Sequence, residues 1–315
     1  MPKALIIGVT GQDVAYLSRL LRDKGYEIVG TSRDATQLRE SNLVRLSLLG
    51  AIQTASVSTN DFRSVIQLLM KFQPDEIYHL AGQTSVGVSF EQPVETMESI
   101  ALSTLNMLEA IRIINRPVRY YNAGSSECFG NTAQPANETT AFRPRSPYAT
   151  AKSAAFWEVA NYREAYGLFA CSGILFNHES PLRQTRFVTG KIIAAARRIR
   201  DGSPERLQLG NIDVQRDWGW APEYVDAMWR MLQQPTADDF VIATGETHSL
   251  RDFVTEVFSQ CGLDWKQHVV ENPALLRPSE ILISRADPSK AKRILGWSAS
   301  KRLPDIITSM LNDQV

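Results

Sequence analysis

The chain has 315 residues, 43% apolar and 22% charged, with 34 basic residues balancing 34 acidic ones. That is ordinary globular composition, long enough for one large domain or two ordinary ones, and zero net charge gives no reason to expect nucleic acid or an anionic membrane as a partner. No run of about 18 apolar residues offers a membrane span, and the scattered Cys128, Cys171 and Cys261 suit neither a disulfide framework nor a zinc site. Reduced thiols in a cytoplasmic protein are expected.

Ala4 to Gly8 is a short apolar run ending at glycine, a buried strand by length and flanks. The residues before it read as the approach to this strand, not as a signal peptide. Asp13 to Lys24 carries Val14, Leu17, Leu20 and Leu21 at helical spacing, and Gly25 ends that helix. Strands follow at Tyr26 to Thr31 and Ile52 to Val57, then an amphipathic helix at Asp61 to Phe72 and a strand at Glu76 to Ala81. Val94 to Ile113 predicts one long helix, Arg119 to Ala123 a fifth strand, and Tyr148 to Tyr166 another helix before the strand Cys171 to Phe176. This alternation predicts an α/β fold of Rossmann type, a doubly wound parallel sheet.

After Asn177 the rhythm changes. A loop precedes the helix Val188 to Arg200, Leu207 to Trp220 is polar and irregular, Pro222 to Leu232 is a helix and Phe240 to Thr244 a strand. We therefore expect a cofactor domain at 1–178, with returns at about 221–247, and a smaller interleaved substrate domain at 179–220 and 248–315.

Between the first strand and first helix lies Gly8-Val9-Thr10-Gly11-Gln12-Asp13. Glycines there permit a tight turn and close backbone approach, so that a dinucleotide pyrophosphate rests on the helix N-terminus. Val14 stands where the usual pattern has a third glycine, and predicts a helix pushed slightly outward. The second strand ends in Ser32-Arg33-Asp34. Arg33 favours NADP over NAD, because an arginine there accepts a 2′-phosphate, although Asp34 does not help.

Tyr148 and Lys152 are four residues apart and share a helix face. An ammonium beside a phenol favours the phenolate, drawing a pKa of ~10 toward neutrality and making a general base for an alcohol. Upstream, Ser125-Ser126-Glu127 follows the fifth strand and supplies a hydroxyl and a carboxylate. His178, with base chemistry already assigned to Tyr148, reads as a core histidine satisfied by backbone.

These pieces resemble the extended short-chain dehydrogenase/reductases and, within them, the GDP-mannose 4,6-dehydratases. The resemblance rests on G-V-T-G-Q-D at Gly8, S-S-E at Ser125 and R-S-P-Y-A-T-A-K at Arg145. Further matches are G-I-L-F-N-H-E-S-P at Gly173, L-G-N-I-D-V-Q-R-D-W-G at Leu209, D-F-V-I-A-T-G-E at Asp239 and R-P-S-E at Arg277. It implies oxidation of a GDP-hexose at carbon 4, loss of water across carbons 5 and 6, and return of hydride to carbon 6 on the same NADP. By position, Tyr148 would be the base, Lys152 its electrostatic partner, Glu127 the base and then acid of elimination, and Ser125 a helping hydroxyl. Gly8, Thr10, Gly11, Gln12, Asp13, Arg33, Leu80, Ala81 and Gln83, with Tyr148 and Lys152, would meet the cofactor. Thr84, Ser126 and Asn177 would line the sugar site, Lys191, Arg216 and Arg277 would hold the diphosphate, and Glu280 would meet the nucleoside. No metal is implied.

The resemblance further implies a homodimer or homotetramer built through the helices starting near Val94 and Tyr148. Departures from the family pattern are Ser125 for threonine, Val14 for glycine, Asp34 for a second arginine, Ser58 for an acidic residue, Gly190 for arginine and Gly124 for serine. Two alternatives stay open: a GDP-sugar 4-reductase or 4-epimerase of the same fold, and a non-catalytic cofactor-binding relative.

Overall fold

The computed structural model describes residues 1–37 and 41–313, so the last two positions of the expected 248–315 segment lie outside the described residues. The first half alternates as expected. Strand β1 (Lys3–Ile7) leads into α1 (Gln12–Asp23), then β2 (Glu27–Ser32), a short α2 (Asn42–Arg45) and β3 (Gln53–Ser56). Next come α3 (Phe62–Phe72), capped by the Asp61 side chain accepting from the Arg63 N–H, and β4 (Glu76–His79). Short α4 (Val86–Glu91) and α5 (Pro93–Met97) precede α6 (Ser103–Ile114) and β5 (Arg119–Ala123).

Helix α7 (Pro147–Tyr166) starts where Ser146 accepts from the Ala149 N–H and Pro147 fits the first helical position. After it come β6 (Phe169–Leu175), β7 (Asn177–Glu179) and α8 (Val188–Arg200). The remainder comprises β8 (Leu207–Leu209), β9 (Gln215–Arg216), β10 (Trp218–Trp220), α9 (Ala221–Leu232), β11 (Phe240–Ile242), β12 (His248–Ser249), α10 (Leu250–Gln260), α11 (Trp265–His268), β13 (Val269–Glu271) and α12 (Leu303–Leu311).

Seven strands form one parallel sheet in the order β3-β2-β1-β4-β5-β6-β11. Helices cover both faces. On one, α1 and α9 bury Val14, Leu17, Tyr224 and Met228 against the sheet. On the other, residues of α3, α6 and α7 pack over Leu5, Ile7 and Ile77. A separate apolar cluster joins α8, α10 and α12 through Ile192, Phe253, Phe258 and Ile306. Ala291, Leu295 and Trp297 return to pack with the α1–α9 side of the sheet. The strand order reverses between β1 and β4, and in such sheets ligands bind outside the carboxyl ends at that reversal.

Three local differences from the sequence reading have physical reasons. The expected Val94 to Ile113 helix contains a wide turn at Glu98–Leu102 between α5 and α6. There the Ser99 hydroxyl accepts from the Gln83 N–H at 3.2 Å, and a Cβ on Gly82 would stand 3.1 Å from the Ser99 carbonyl oxygen. The loop after β4 is thereby packed directly on the helix. Second, the irregular stretch Leu207 to Trp220 holds β8, β9 and β10, whose partners β13, β12 and β7 are distant in sequence. Third, Val14 is buried in the core beside Val9 and Ile6, so the sheet–helix interface accommodates it.

Candidate active site

The turn after β1 is set by Gly8, at φ +97°, where a Cβ would stand 2.8 Å from the Ala81 Cα. The Gly8 and Val9 N–H groups both donate to the Thr31 carbonyl, at 3.0 and 2.8 Å. Gly11 occupies the N-cap of α1, supplies no side-chain cap, and has nothing within 4 Å of where a Cβ would sit. The first-turn N–H groups of α1 thus face an open cradle without a side-chain acceptor, which fits the pyrophosphate of a dinucleotide.

Gln12 and Asp13 are engaged by the protein itself. Gln12 Nε2 donates to the His178 carbonyl at 2.9 Å, and the Ser180 hydroxyl donates to Gln12 Oε1 at 2.9 Å. His178 Nε2 lies 2.9 Å from Asp13 Oδ2, while His178 Nδ1 donates to the Phe176 carbonyl at 2.7 Å. Both ring nitrogens face acceptors, which only the imidazolium satisfies together. Burial works against charge on both groups, but each offsets it for the other, raising the His178 pKa and lowering that of Asp13. His178 is satisfied by backbone as expected, and it is also a clasp between the glycine loop and β7.

A cavity of about 420 Å³ opens beside this loop. Its wall includes Asp13, Leu80 and Thr84 from the cofactor side, Ser125, Ser126, Glu127, Tyr148 and Lys152 from the middle, and Asn177, Lys191, Arg216, Arg277 and Glu280 opposite. Gly8, Thr10, Gly11, Gln12, Arg33, Ala81 and Gln83 do not line it. Gln83 instead bonds the Ser85 carbonyl and N–H, fixing the turn into α4. Arg33 is exposed at the end of β2, 3.7 Å from Glu95.

Tyr148 sits in the first turn of α7 and Lys152 one turn on. The spacing predicts an ammonium acting on the phenol, and here the structure differs. Lys152 Nζ donates to the Ala123 carbonyl at 2.7 Å and is 5.9 Å from the Tyr148 ring centroid. Burial draws the Lys152 pKa down to about 8, and burial also raises Tyr148 above the usual phenol value. The hydroxyl of Ser125, beside the phenol, acts in the opposite direction. In the site as it stands, desolvation outweighs the electrostatic effect read from the spacing. Glu127 follows Ser125 on a single helical turn, and the Ser125 hydroxyl accepts from the Glu127 N–H at 3.3 Å. Burial raises its pKa, with Arg216 and Arg277 pulling it down and Glu280 pushing it up.

The arginines and Glu280 form one cluster. Arg216 lies 3.0 Å and Arg277 3.4 Å from Glu280 Oε1. Lys191 donates to the Gln208 carbonyl at 2.7 Å. The sequence reading missed Arg183 and Arg186, which line the cavity together with Phe187. The Arg183 guanidinium lies 3.8 Å from the Phe187 ring centroid and its Nε 3.1 Å from Glu179, while Arg186 reaches the Thr84 hydroxyl at 3.4 Å. The signal was the run R-Q-T-R-F after N-H-E-S-P. Gly190 explains this loop: a Cβ there would stand 2.6 Å from the Gln184 carbonyl oxygen and 2.9 Å from that of Arg183. The departure from arginine lets the loop lie on α8.

A doubly wound sheet with a glycine loop at its reversal, and a tyrosine–lysine helix facing the same cavity, defines a Rossmann-type fold of the short-chain dehydrogenase/reductase kind. A solved UDP-glucose 4-epimerase from Thermus thermophilus in complex with NAD is similar at TM-score 0.86 and 25% identity, covering 99% of this chain and 98% of that one. A structure of RMD from Pseudomonas aeruginosa complexed with NADPH has TM-score 0.83 and 21% identity, with 99% of each chain covered. The chain belongs to the GDP-mannose 4,6-dehydratase family: residues 5–310 match the family model described as GDP-mannose 4,6 dehydratase. It is 44% identical to GDP-mannose 4,6 dehydratase 1 of Arabidopsis thaliana, over 99% of this chain and 89% of the relative. It is 42% identical to the GDP-mannose 4,6-dehydratase of Sinorhizobium fredii, over 99% and 96%, and 40% identical to that of Vibrio cholerae, over 99% and 94%.

Proposed function

We propose that the protein is a lyase that converts a GDP-hexose, GDP-mannose foremost, to the GDP-4-keto-6-deoxyhexose and water with a recycled NADP. The observation that carries this reading is the convergence of Ser125, Glu127, Tyr148 and Lys152 on one cavity whose far wall holds Arg216 and Arg277. When bound, the oxidised dinucleotide would supply a hydride acceptor, a positive charge and later a hydride donor. Tyr148 takes the proton of the sugar 4-hydroxyl, with the Ser125 hydroxyl beside the phenol to stabilise its anion. Lys152, fixed to the end of β5, places its ammonium at the same wall. A 4-ketone makes the carbon 5 hydrogen acidic. Glu127, its pKa raised by burial, removes that proton and then protonates the oxygen leaving carbon 6. A reductase or epimerase working only at carbon 4 has no need of that carboxylate.

Arg216, Arg277, Lys191 and Asn177 hold the nucleotide sugar, for which guanidinium forks suit the diphosphate oxygens. Residues 1–178 and 221–247 carry the dinucleotide, and 179–220 with 248–315 carry the GDP-sugar. The exposed Arg33 at the end of β2 supports NADP, since among the described residues its ion pair is a loose one at 3.7 Å with Glu95. Exposed apolar side chains along the α5–α6 and α7 helices, Val94 at 69% and Trp157 at 62%, support assembly as a dimer or tetramer through these helices. Among the described residues, no helix is long and apolar enough to cross a membrane. Three free cysteines suit a cytoplasmic setting.

The test is incubation with GDP-mannose and catalytic NADP, followed by mass spectrometry of the nucleotide sugar. The expected result is loss of one water without net reduction of cofactor. An unchanged sugar, in protein that binds the cofactor, would overturn the substrate assignment.

A further inference from the structure

The phosphate-binding arginines are not waiting open. All the contacts of Glu280 fall on one oxygen: Oε1 accepts from Arg216 Nη2 at 3.0 Å, from Arg277 Nη1 at 3.4 Å and from the Ile281 N–H at 3.1 Å. Arg216 is only 7% exposed, whereas the side chains of Arg277 and Glu280 are 37% and 25% exposed, so the carboxylate sits on the solvent side of the buried guanidinium. Arg216 is further held by Nη1 donating to the Gln215 carbonyl at 2.9 Å. Glu127 lies within electrostatic range of both arginines. With both carboxylates ionised, two guanidiniums and two carboxylates cancel. An arriving diphosphate therefore finds both clamp guanidiniums already paired with a carboxylate unless Glu280 moves aside, while Lys191, Arg183 and Arg186 stand elsewhere on the cavity wall.

We propose that Glu280 is a specificity-determining residue: its carboxylate occupies the arginine clamp in place of a ligand, and makes occupancy by a diphosphate conditional on an attached nucleoside. The proposal rests on the reading of Arg216 and Arg277 as the diphosphate clamp. A bare diphosphate must displace Glu280 from both guanidiniums, which costs free energy even at a position one quarter exposed. A nucleoside diphosphate brings donors of its own, ribose hydroxyls or ring N–H groups, to which the released carboxylate can turn. Glu280 stands in the loop after Leu275 and Leu276, whose exposed side chains line the same cavity, so the move needs only rotation of one side chain at the cavity edge. The consequence is discrimination against inorganic diphosphate and small phosphorylated compounds, achieved by competition and not by shape.

The experiment is calorimetric titration of the full-length protein with inorganic diphosphate and, separately, with GDP, for wild type, Glu280→Gln and Arg277→Gln. Glutamine keeps the size and an acceptor oxygen but removes the charge. Glu280→Gln is expected to tighten inorganic diphosphate about fivefold or more while GDP becomes no tighter, so that the preference for GDP falls by at least that factor. Arg277→Gln is expected to weaken both. If Arg277→Gln weakens both but Glu280→Gln leaves diphosphate binding unchanged or weaker, the clamp stands and the role of Glu280 is overturned. If Arg277→Gln changes neither, the clamp reading fails and the proposal fails with it.

Discussion

The two walls of the cavity are prepared for their ligands in opposite ways. On the side proposed for the dinucleotide the side chains are already engaged: Asp13 on the cavity wall is bonded to His178 and Gln12, outside the cavity lining, to Ser180, and what remains open beside the cavity is backbone N–H at the start of α1. On the wall proposed for the sugar nucleotide the charged side chains are paired with one another, Arg216 and Arg277 with Glu280, so that on this proposal a ligand has to compete for them. A wall built of fixed backbone dipoles costs little to use and discriminates little beyond shape and charge. A wall built of exchangeable ion pairs makes binding conditional on what the ligand offers in return.

The comparison breaks most sharply at the residues between the walls. Tyr148→Phe removes the proton acceptor and leaves the fold intact. Turnover should fall by about 10³-fold with little change in substrate affinity, measured as kcat against KM. Retained turnover would remove Tyr148 from the chemistry.

A smaller effect is expected at Gly190, where an arginine cannot be installed without moving the loop that carries Arg183 and Arg186. Gly190→Arg should destabilise the protein by about 1–3 kcal/mol in urea unfolding and raise KM. A neutral outcome would mean that the loop adapts freely.

The clasp between the walls predicts a pH dependence. His178 has a raised pKa beside Asp13, with Arg183 opposing and the Tyr224 ring stacked at 4.6 Å. A raised value means that the charged pairing is fully present below the ordinary imidazole pKa of about 6.5 and is lost as pH rises through the folded value. The stability difference between wild type and Asp13→Asn should therefore be larger at about pH 6 than at about pH 9. An equal difference at both would show that the pair carries no titrating charge. The mildest expectation concerns the exposed Arg33. Arg33→Ser should weaken NADP roughly three- to tenfold and leave NAD unchanged, and equal loss of both would refute a 2′-phosphate contact.

Much of this was legible in the sequence where the information is local. The strand–helix alternation, Gly8 and Gly11, and the Tyr148–Lys152 spacing all lie within single elements or turns. What could not be read depends on pairs brought together by the fold. The His178–Asp13 contact joins positions 165 residues apart. The short strands β8 to β10 exist only because distant segments lie beside them. The spacing rule for Tyr148 and Lys152 located the residues, but burial shifts both pKa values and the Ala123 carbonyl takes the ammonium's hydrogen bond. Glycine at 190 reads as a lost arginine in sequence, whereas in the fold it is the seat of a loop.

The central claim is that Glu127 performs the elimination while Tyr148 serves the oxidation. Its most direct test is a single turnover of Glu127→Gln with GDP-mannose and NADP, following absorbance of the reduced nicotinamide and the mass of the sugar together. The account predicts reduced cofactor accumulating to no more than one equivalent per site, with no water lost from the sugar. Complete dehydration by that variant would contradict it.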